Sequence, residues 1–217
     1  MPVTSRAGRP KSSQKRRNRE AQLIEAATEV FSRRGYAAAS IQEVADVVGM
    51  LKGSLYHYIG SKEELLYAIF AEAHEEAETL MAATAAMEAP ATDKLRYYTR
   101  NLVLNSLGNI ERTSLYFRDW RNLTGDRLEA LMHHRKQYDS FARSLVVQVY
   151  KEAGVEPTVK PKYVSLFVLG GINWLADWYR PGGSDSASSV ADGYADLVIG
   201  TLSGATPFAF GFPPSGD

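Results

Sequence analysis

Residues 40–62 read SIQEVADVVGMLKGSLYHYIGSK, and the rest of the chain is understood outward from them. Ser40 followed by Glu43 is a capping box, so a helix should open at Ile41. Ile41, Val44, Ala45 and Val48 fall at i, i+3, i+4 and i+7 and make one apolar face. Gly49 stops that helix, as a glycine just past a helix end does. A second short helix is predicted from about Lys52 to Ile59, with Leu55, Tyr58 and Ile59 inward. Its outward side carries Lys52, Gly53, Ser54, Tyr56 and His57. Gly60 ends it, and Ser61 with Glu64 forms a second capping box. Two short helices around a glycine turn, the second studded with basic and hydroxylated residues, spell a helix-turn-helix.

Upstream, a helix is expected from about Asn18 to Arg34, because Leu23, Ala26, Ala27, Val30 and Phe31 recur at helical spacing. Phe31 and Tyr36 read as packing residues, and Gly35 as the C-cap. Residues 1–17 are rich in Arg, Lys, Ser and Pro, with almost no apolar content, and read as a disordered arm. A plain solubilising tail would look the same. The run RAGRPK, with Arg6, Arg9 and Lys11, also suits insertion into the narrow minor groove of A·T-rich DNA, and Arg9 is the candidate contact.

Downstream, a long helix should run from Lys62 toward Met87, with Leu65, Leu66, Ile69 and Phe70 inward. Further helices are expected at about 93–109, 113–122, 126–153, 162–180 and 186–203. The reading is all-α, with about nine helices. Residues 18–61 form a DNA-binding domain, 62–205 a larger helical domain and 206–217 an exposed tail.

The 217 residues carry no net charge, but the charge is unevenly placed. Residues 1–62 hold 11 Lys/Arg against 5 Asp/Glu, and the remainder is acidic by the same margin. A basic N-terminal third on an acidic body suits one DNA-facing unit and one that avoids DNA. The absence of cysteine excludes disulfides, thiolate metal sites and cysteine catalysis. No apolar run reaches membrane-spanning length, and the basic N-terminus lacks the apolar stretch of a secretory signal. No membrane partner and a cytoplasmic location are expected. His133 and His134 are adjacent and point about 100° apart on a helix, so they cannot chelate together. His74 sits on an acidic helix face without a companion in sequence. No H-E-x-x-H, G-x-S-x-G or phosphate-loop pattern occurs, so neither catalysis nor a cofactor is expected.

Arg34-Gly35-Tyr36, the S-I-Q-E-V-A segment and K-G-S-L-Y-H-Y-I-G-S-K-E-E-L-L together resemble the tetracycline-repressor (TetR) family. The resemblance covers about residues 19–66. It implies a homodimer that binds palindromic operator DNA and answers to a small-molecule effector, usually as a repressor. Read this way, Ser40, Lys52, Gly53, Ser54, Tyr56, His57, Tyr58 and Lys62 are the DNA contacts, with Tyr58 and Lys62 as phosphate anchors. Leu51 departs from the Ser or Thr the family often has there, which would cap the recognition helix. The last two helices are the expected dimer surface, where Gly170 and Gly171 allow close approach.

Two aromatic clusters, Tyr116, Phe117 and Trp120 and then Phe167, Trp174, Trp178 and Tyr179, could be plain core. With Arg118, Arg121, Asn173 and Arg180 among them, they also suit an apolar pocket with a few fixed polar groups. Tyr116, Phe117, Trp120, Arg121, Phe167, Asn173, Trp174, Trp178 and Arg180 are the candidate ligand residues. The segments NWLADWYRPGG and SDSASSVADGYADLVIGTL resemble a subgroup of the family that senses acyl-CoA thioesters, for which arginines would hold the phosphates. An apolar drug or aromatic metabolite as effector, or an architectural DNA binder that uses the N-terminal arm, are the alternatives.

Overall fold

The computed structural model describes residues 11–157 and 159–202, and among them every regular element is helical. The order is α1 (Lys11–Arg34), α2 (Ile41–Val47), α3 (Lys52–Leu55), α4 (Lys62–Ala85), α5 (Ala91–Gly108) and α6 (Ile110–Asp119). A 3-10 turn (Trp120–Asn122) follows, then α7 (Gly125–Ala153), α8 (Pro161–Asn173), α9 (Leu175–Trp178) and α10 (Ala187–Leu202).

The helix starts follow the caps foreseen. Ser40 accepts a hydrogen bond from the Glu43 amide while Glu43 accepts one from the Ser40 amide, the full capping box. At α4, Ser61 accepts from the Glu64 amide at 3.0 Å, but the Glu64 carboxylate reaches one residue further back and accepts from the Gly60 amide at 2.8 Å. Gly35 and Gly49 hold φ of 79° and 64°, left-handed values that a side chain disfavours, and each turns the chain between two helices.

Two cores form, and their boundary does not fall at a single point in the sequence. Leu23, Ala27, Val30 and Phe31 of α1 bury themselves completely against Val44, Ala45 and Leu55 of α2 and α3. Leu65, Leu66, Ile69 and Phe70, the first half of α4, complete this N-terminal core. Leu115 and Tyr116 of α6, Leu123 just before α7 and Leu131 within it join from far down the chain. The second core is built around α5, where Leu95, Tyr98 and Val103 meet Leu145 and Val146 of α7, Val168 and Ile172 of α8 and Ala191 and Val198 of α10. Each such side chain contributes about 1.5–3 kcal/mol by leaving water. Among the described residues no helix is long and apolar enough to cross a membrane.

Three boundaries differ from the expectation. Helix α1 begins at Lys11 rather than Asn18, extending as a polar helix before its first buried residue, Leu23. The recognition helix is one turn, Lys52–Leu55, continued to Ile59 by isolated turn hydrogen bonds. The helix expected over 162–180 breaks at Trp174, whose amide is shared between the carbonyls of Gly170 and Gly171 at 3.2 Å each. Such sharing tightens a helix end.

Leu51 precedes α3 with no side-chain cap and is 80% exposed. Leu51→Thr should therefore stabilise the protein by about 1 kcal/mol and raise Tm by roughly 2–4 °C. Thermal unfolding checks this, and an unchanged or lower Tm would show that the helix start is satisfied otherwise.

Candidate ligand cavity and nucleic-acid face

Most of the predicted DNA-reading residues are exposed to solvent. Ser40, Lys52, Gly53, Tyr56 and His57 are exposed, Ser54 and Tyr58 half-buried, while Leu55 and Ile59 anchor the segment from beneath. Lys62 is different. Its Nζ donates to the carbonyl of Tyr36, approaches that of Ala37 at 3.5 Å and lies 4.3 Å from the centre of the Tyr36 ring. Loss of hydration lowers its pKa, against the attraction of Asp119 and Glu43. This ammonium ties the start of α4 to the α1–α2 loop instead of projecting outward. Arg9 lies outside the described residues.

Behind that face, a cavity of about 320 Å³ opens among α4, α5, α6, α7 and α8. Its walls are mostly apolar: Ala73, Ala77, Leu102, Phe117, Leu166 and Leu169. The polar groups are concentrated. His74 is 4% exposed, its Nδ1 is 2.6 Å from the Tyr138 hydroxyl, and its ring stacks on His134 at 4.3 Å between centres. Burial, and secondarily His134, lower the His74 pKa to about 4, so the ring is neutral near pH 7. Burial pushes the Tyr116 hydroxyl up to about 12, with Arg135 pulling the other way. Arg135 packs its guanidinium over Trp120, 4.9 Å from the ring centre, and over Tyr116 at 5.8 Å. Arg112 and Asp139 also line the cavity, but each is paired: Arg112 with Glu72 and Glu76, Asp139 with Arg143. Among the described residues no group of three or more His, Asp or Glu is placed to hold a metal ion.

This geometry, a helix-turn-helix fused to a helical body with an apolar cavity, has clear relatives. Residues 88–202 match the family model described as "Tetracyclin repressor-like, C-terminal domain", and residues 23–69 match "Bacterial regulatory proteins, tetR family". The chain belongs to the TetR family. Like the other members it is a transcriptional regulator with a DNA-binding helix-turn-helix, not an enzyme. The HTH-type transcriptional repressor KstR2 of Rhodococcus jostii is 25% identical over 198 residues, which span 85% of this chain and 91% of that protein. The structure of AibR in complex with isovaleryl coenzyme A and operator DNA superposes with a TM-score of 0.76 at 26% identity, covering 83% of this chain and 98% of AibR. The ketosteroid regulator KstR2 of Mycobacterium tuberculosis shares the fold, with a TM-score of 0.78 at 24% identity over 84% of this chain and 93% of that one.

Within this TetR body the candidate ligand residues separate into two groups. Tyr116, Phe117 and Asn173 line the cavity. Trp120 and Arg121 stack on one another at 4.4 Å and stand behind it. Phe167, Trp174 and Trp178 are 78%, 65% and 41% exposed on the outer side of α8 and α9, and the exposed Arg180 donates to the Tyr179 carbonyl. Arg118 is likewise engaged, donating to the Phe31 carbonyl at the end of α1 at 3.1 Å. Sequence reasoning missed His74, Arg135 and Tyr138. The signal was faint: His134, Arg135 and Tyr138 share one side of α7, but only the packing of α7 on α4 brings them to His74.

His74 makes stability pH-dependent with a definite sign. Its folded pKa lies below the ordinary value of 6.5, so the unfolded chain binds the extra proton first. Stability is then fully present above about pH 6.5 and is lost as pH falls toward 4, by at most about 3 kcal/mol. Replacing His74 with Phe should flatten the stability slope in that window, as read by urea unfolding at pH 7, 6, 5 and 4. An unchanged slope would assign the acid sensitivity to other groups.

Proposed function

We propose that this TetR-family regulator is a homodimeric repressor that leaves its operator when a small molecule, foremost an acyl-CoA thioester, fills the cavity. One observation carries the reading. Tyr116 lines the cavity and at the same time belongs to the core of the DNA-binding domain, edge-to-face with Phe70 at 5.0 Å. Helix α4 makes a second link, with Lys62 fastened to the α1–α2 loop at one end and His74 in the cavity wall. A ligand that shifts α6 or α4 must therefore shift the recognition unit. It weakens DNA binding only to the extent that it prefers the DNA-incompetent arrangement.

The likeness to AibR, solved with isovaleryl coenzyme A and operator DNA, supports both partners. The cavity is at the small end of ligand sites and suits an acyl group, with the nucleotide outside. A second reading, an effector without coenzyme A, is favoured by the engagement of Arg118, Arg121 and Arg180 away from the cavity. On DNA, Lys52, His57 and Ser54 would read base edges. Ser40, Tyr56 and Tyr58 would hold phosphates, with Gly53 allowing close approach. Lys62 would act through the position of α4, and Arg9 through the neighbouring minor groove.

The second copy would cover α8 and α10. Tyr163, Phe167, Gly170 and, just past the helix end, Trp174 recur on one side of α8, and a Cβ at Gly170 would meet nothing within 4 Å. Leu197 continues this exposed face on α10, which touches α8 where Tyr194 donates to the Gly171 carbonyl.

Two measurements test the proposal. Titration of labelled operator should show affinity falling at least tenfold when isovaleryl-CoA or a longer acyl-CoA saturates the protein, within the usual range of allosteric coupling. Undiminished affinity with every thioester and every free acid tried would overturn the effector reading. Phe167→Glu should convert the dimer to a monomer in sedimentation velocity and reduce operator affinity at least tenfold. A dimer that survives this change places its interface elsewhere.

A further inference from the structure

We propose that the group this cavity selects is a carboxylate on the effector, to which Tyr116, His74 and Arg135 together donate hydrogen bonds. The inference rests on the ligand-responsive reading above and specifies the chemistry that its cavity takes.

Three buried polar atoms on the cavity wall have no hydrogen-bond partner among the described residues: the Tyr116 hydroxyl, Nε2 of His74 and Nη1 of Arg135. Leaving such groups unmatched is costly, and they are rare enough in folded proteins to need a reason. The three come from α6, α4 and α7 yet sit together. The His74 and Tyr116 rings are 5.7 Å apart between centres, and Arg135 is 5.8 Å from the centre of Tyr116.

All three can donate. The Tyr116 hydroxyl keeps its proton throughout the physiological range. Tyr138, whose pKa is also raised by burial, holds a hydroxyl proton that Nδ1 of His74 is placed to accept. That tautomer puts the ring proton on Nε2. The guanidinium of Arg135 is always charged, and it has aromatic rings around it but no carboxylate partner among the described residues. The neighbouring charges do not serve it, since Asp139 is taken by Arg143 and Glu76 by Arg112. Three donors with one unbalanced positive charge, on walls that are mostly apolar, match an anionic acceptor with two oxygens better than a methyl group or an alcohol.

Two sources could present that carboxylate: a free acid, or the far end of an acyl chain whose other end is the thioester. Isothermal titration with two matched pairs distinguishes them: pimeloyl-CoA against heptanoyl-CoA, and 3-phenylpropanoate against 3-phenylpropan-1-ol. The carboxylate member should bind at least tenfold more tightly in one pair or both, and the pair that shows it names the source. Tyr116→Phe, which retains the ring packed on Phe70, and Arg135→Gln should each reduce the preference below threefold. Thermal unfolding of both variants confirms that they fold. Equal or weaker binding of the carboxylate members, or a preference that survives both substitutions, overturns the inference. Parallel operator titrations separate it from the proposed function. Release by heptanoyl-CoA without carboxylate preference leaves the repressor standing and sinks the carboxylate. Carboxylate preference without any release supports the carboxylate and sinks the repressor.

Discussion

The contact between Tyr116 and Phe70 is the constraint on which this molecule turns. One ring belongs to α6 and the other to α4, and between them the DNA-binding core and the cavity share a wall. Arg118, two residues on, donates to the last turn of α1, so α6 is bound to the N-terminal unit by packing and by charge. Glu63 secures the other side, accepting from both the amide and the hydroxyl of Thr124 at the start of α7. Interiors packed to crystal-like density respond to a displaced side chain by moving whole elements. Binding energy in the cavity therefore has a short mechanical route to α2 and α3.

The electrostatics divide along similar lines. Surface pairs such as Arg96 with Asp196 and Arg100 with Asp192 fasten α5 to α10 across exposed ground, where each is worth less than about 1 kcal/mol. The apolar layer beneath them holds those helices together. Around the cavity Arg112 and Asp139 are paired with Glu76 and Arg143, while Arg135 has aromatic rings beside it and no carboxylate partner among the described residues. Lys62 is an intermediate case, a half-buried ammonium satisfied by backbone carbonyls and an aromatic face.

The helix-turn-helix was legible in the sequence because its signals are local. A Ser three residues before a Glu, a glycine after an apolar face and a second glycine six residues beyond Ser54 all report on one turn at a time. The cavity was legible only in part. Periodicity places Phe167 and Trp174 on one side of a helix but does not say whether that side meets a core, a ligand or a second chain; here both side chains are largely exposed. His74 looked solitary for the same reason, since its partners His134 and Tyr138 arrive on a helix that begins at Gly125. Domain limits were hardest, because Leu115, Tyr116, Leu123 and Leu131 fill a core whose other buried members end at Phe70.

Helix α3 is a single turn whose start has no side-chain cap and whose one fully buried residue is Leu55. An isolated turn of this length has almost no intrinsic persistence. Its shape is lent by the platform beneath it. The helix proposed to read DNA is consequently not self-sufficient, and contact with DNA would supply part of its order. Recognition would then carry an ordering cost in entropy, which lowers affinity for any single sequence.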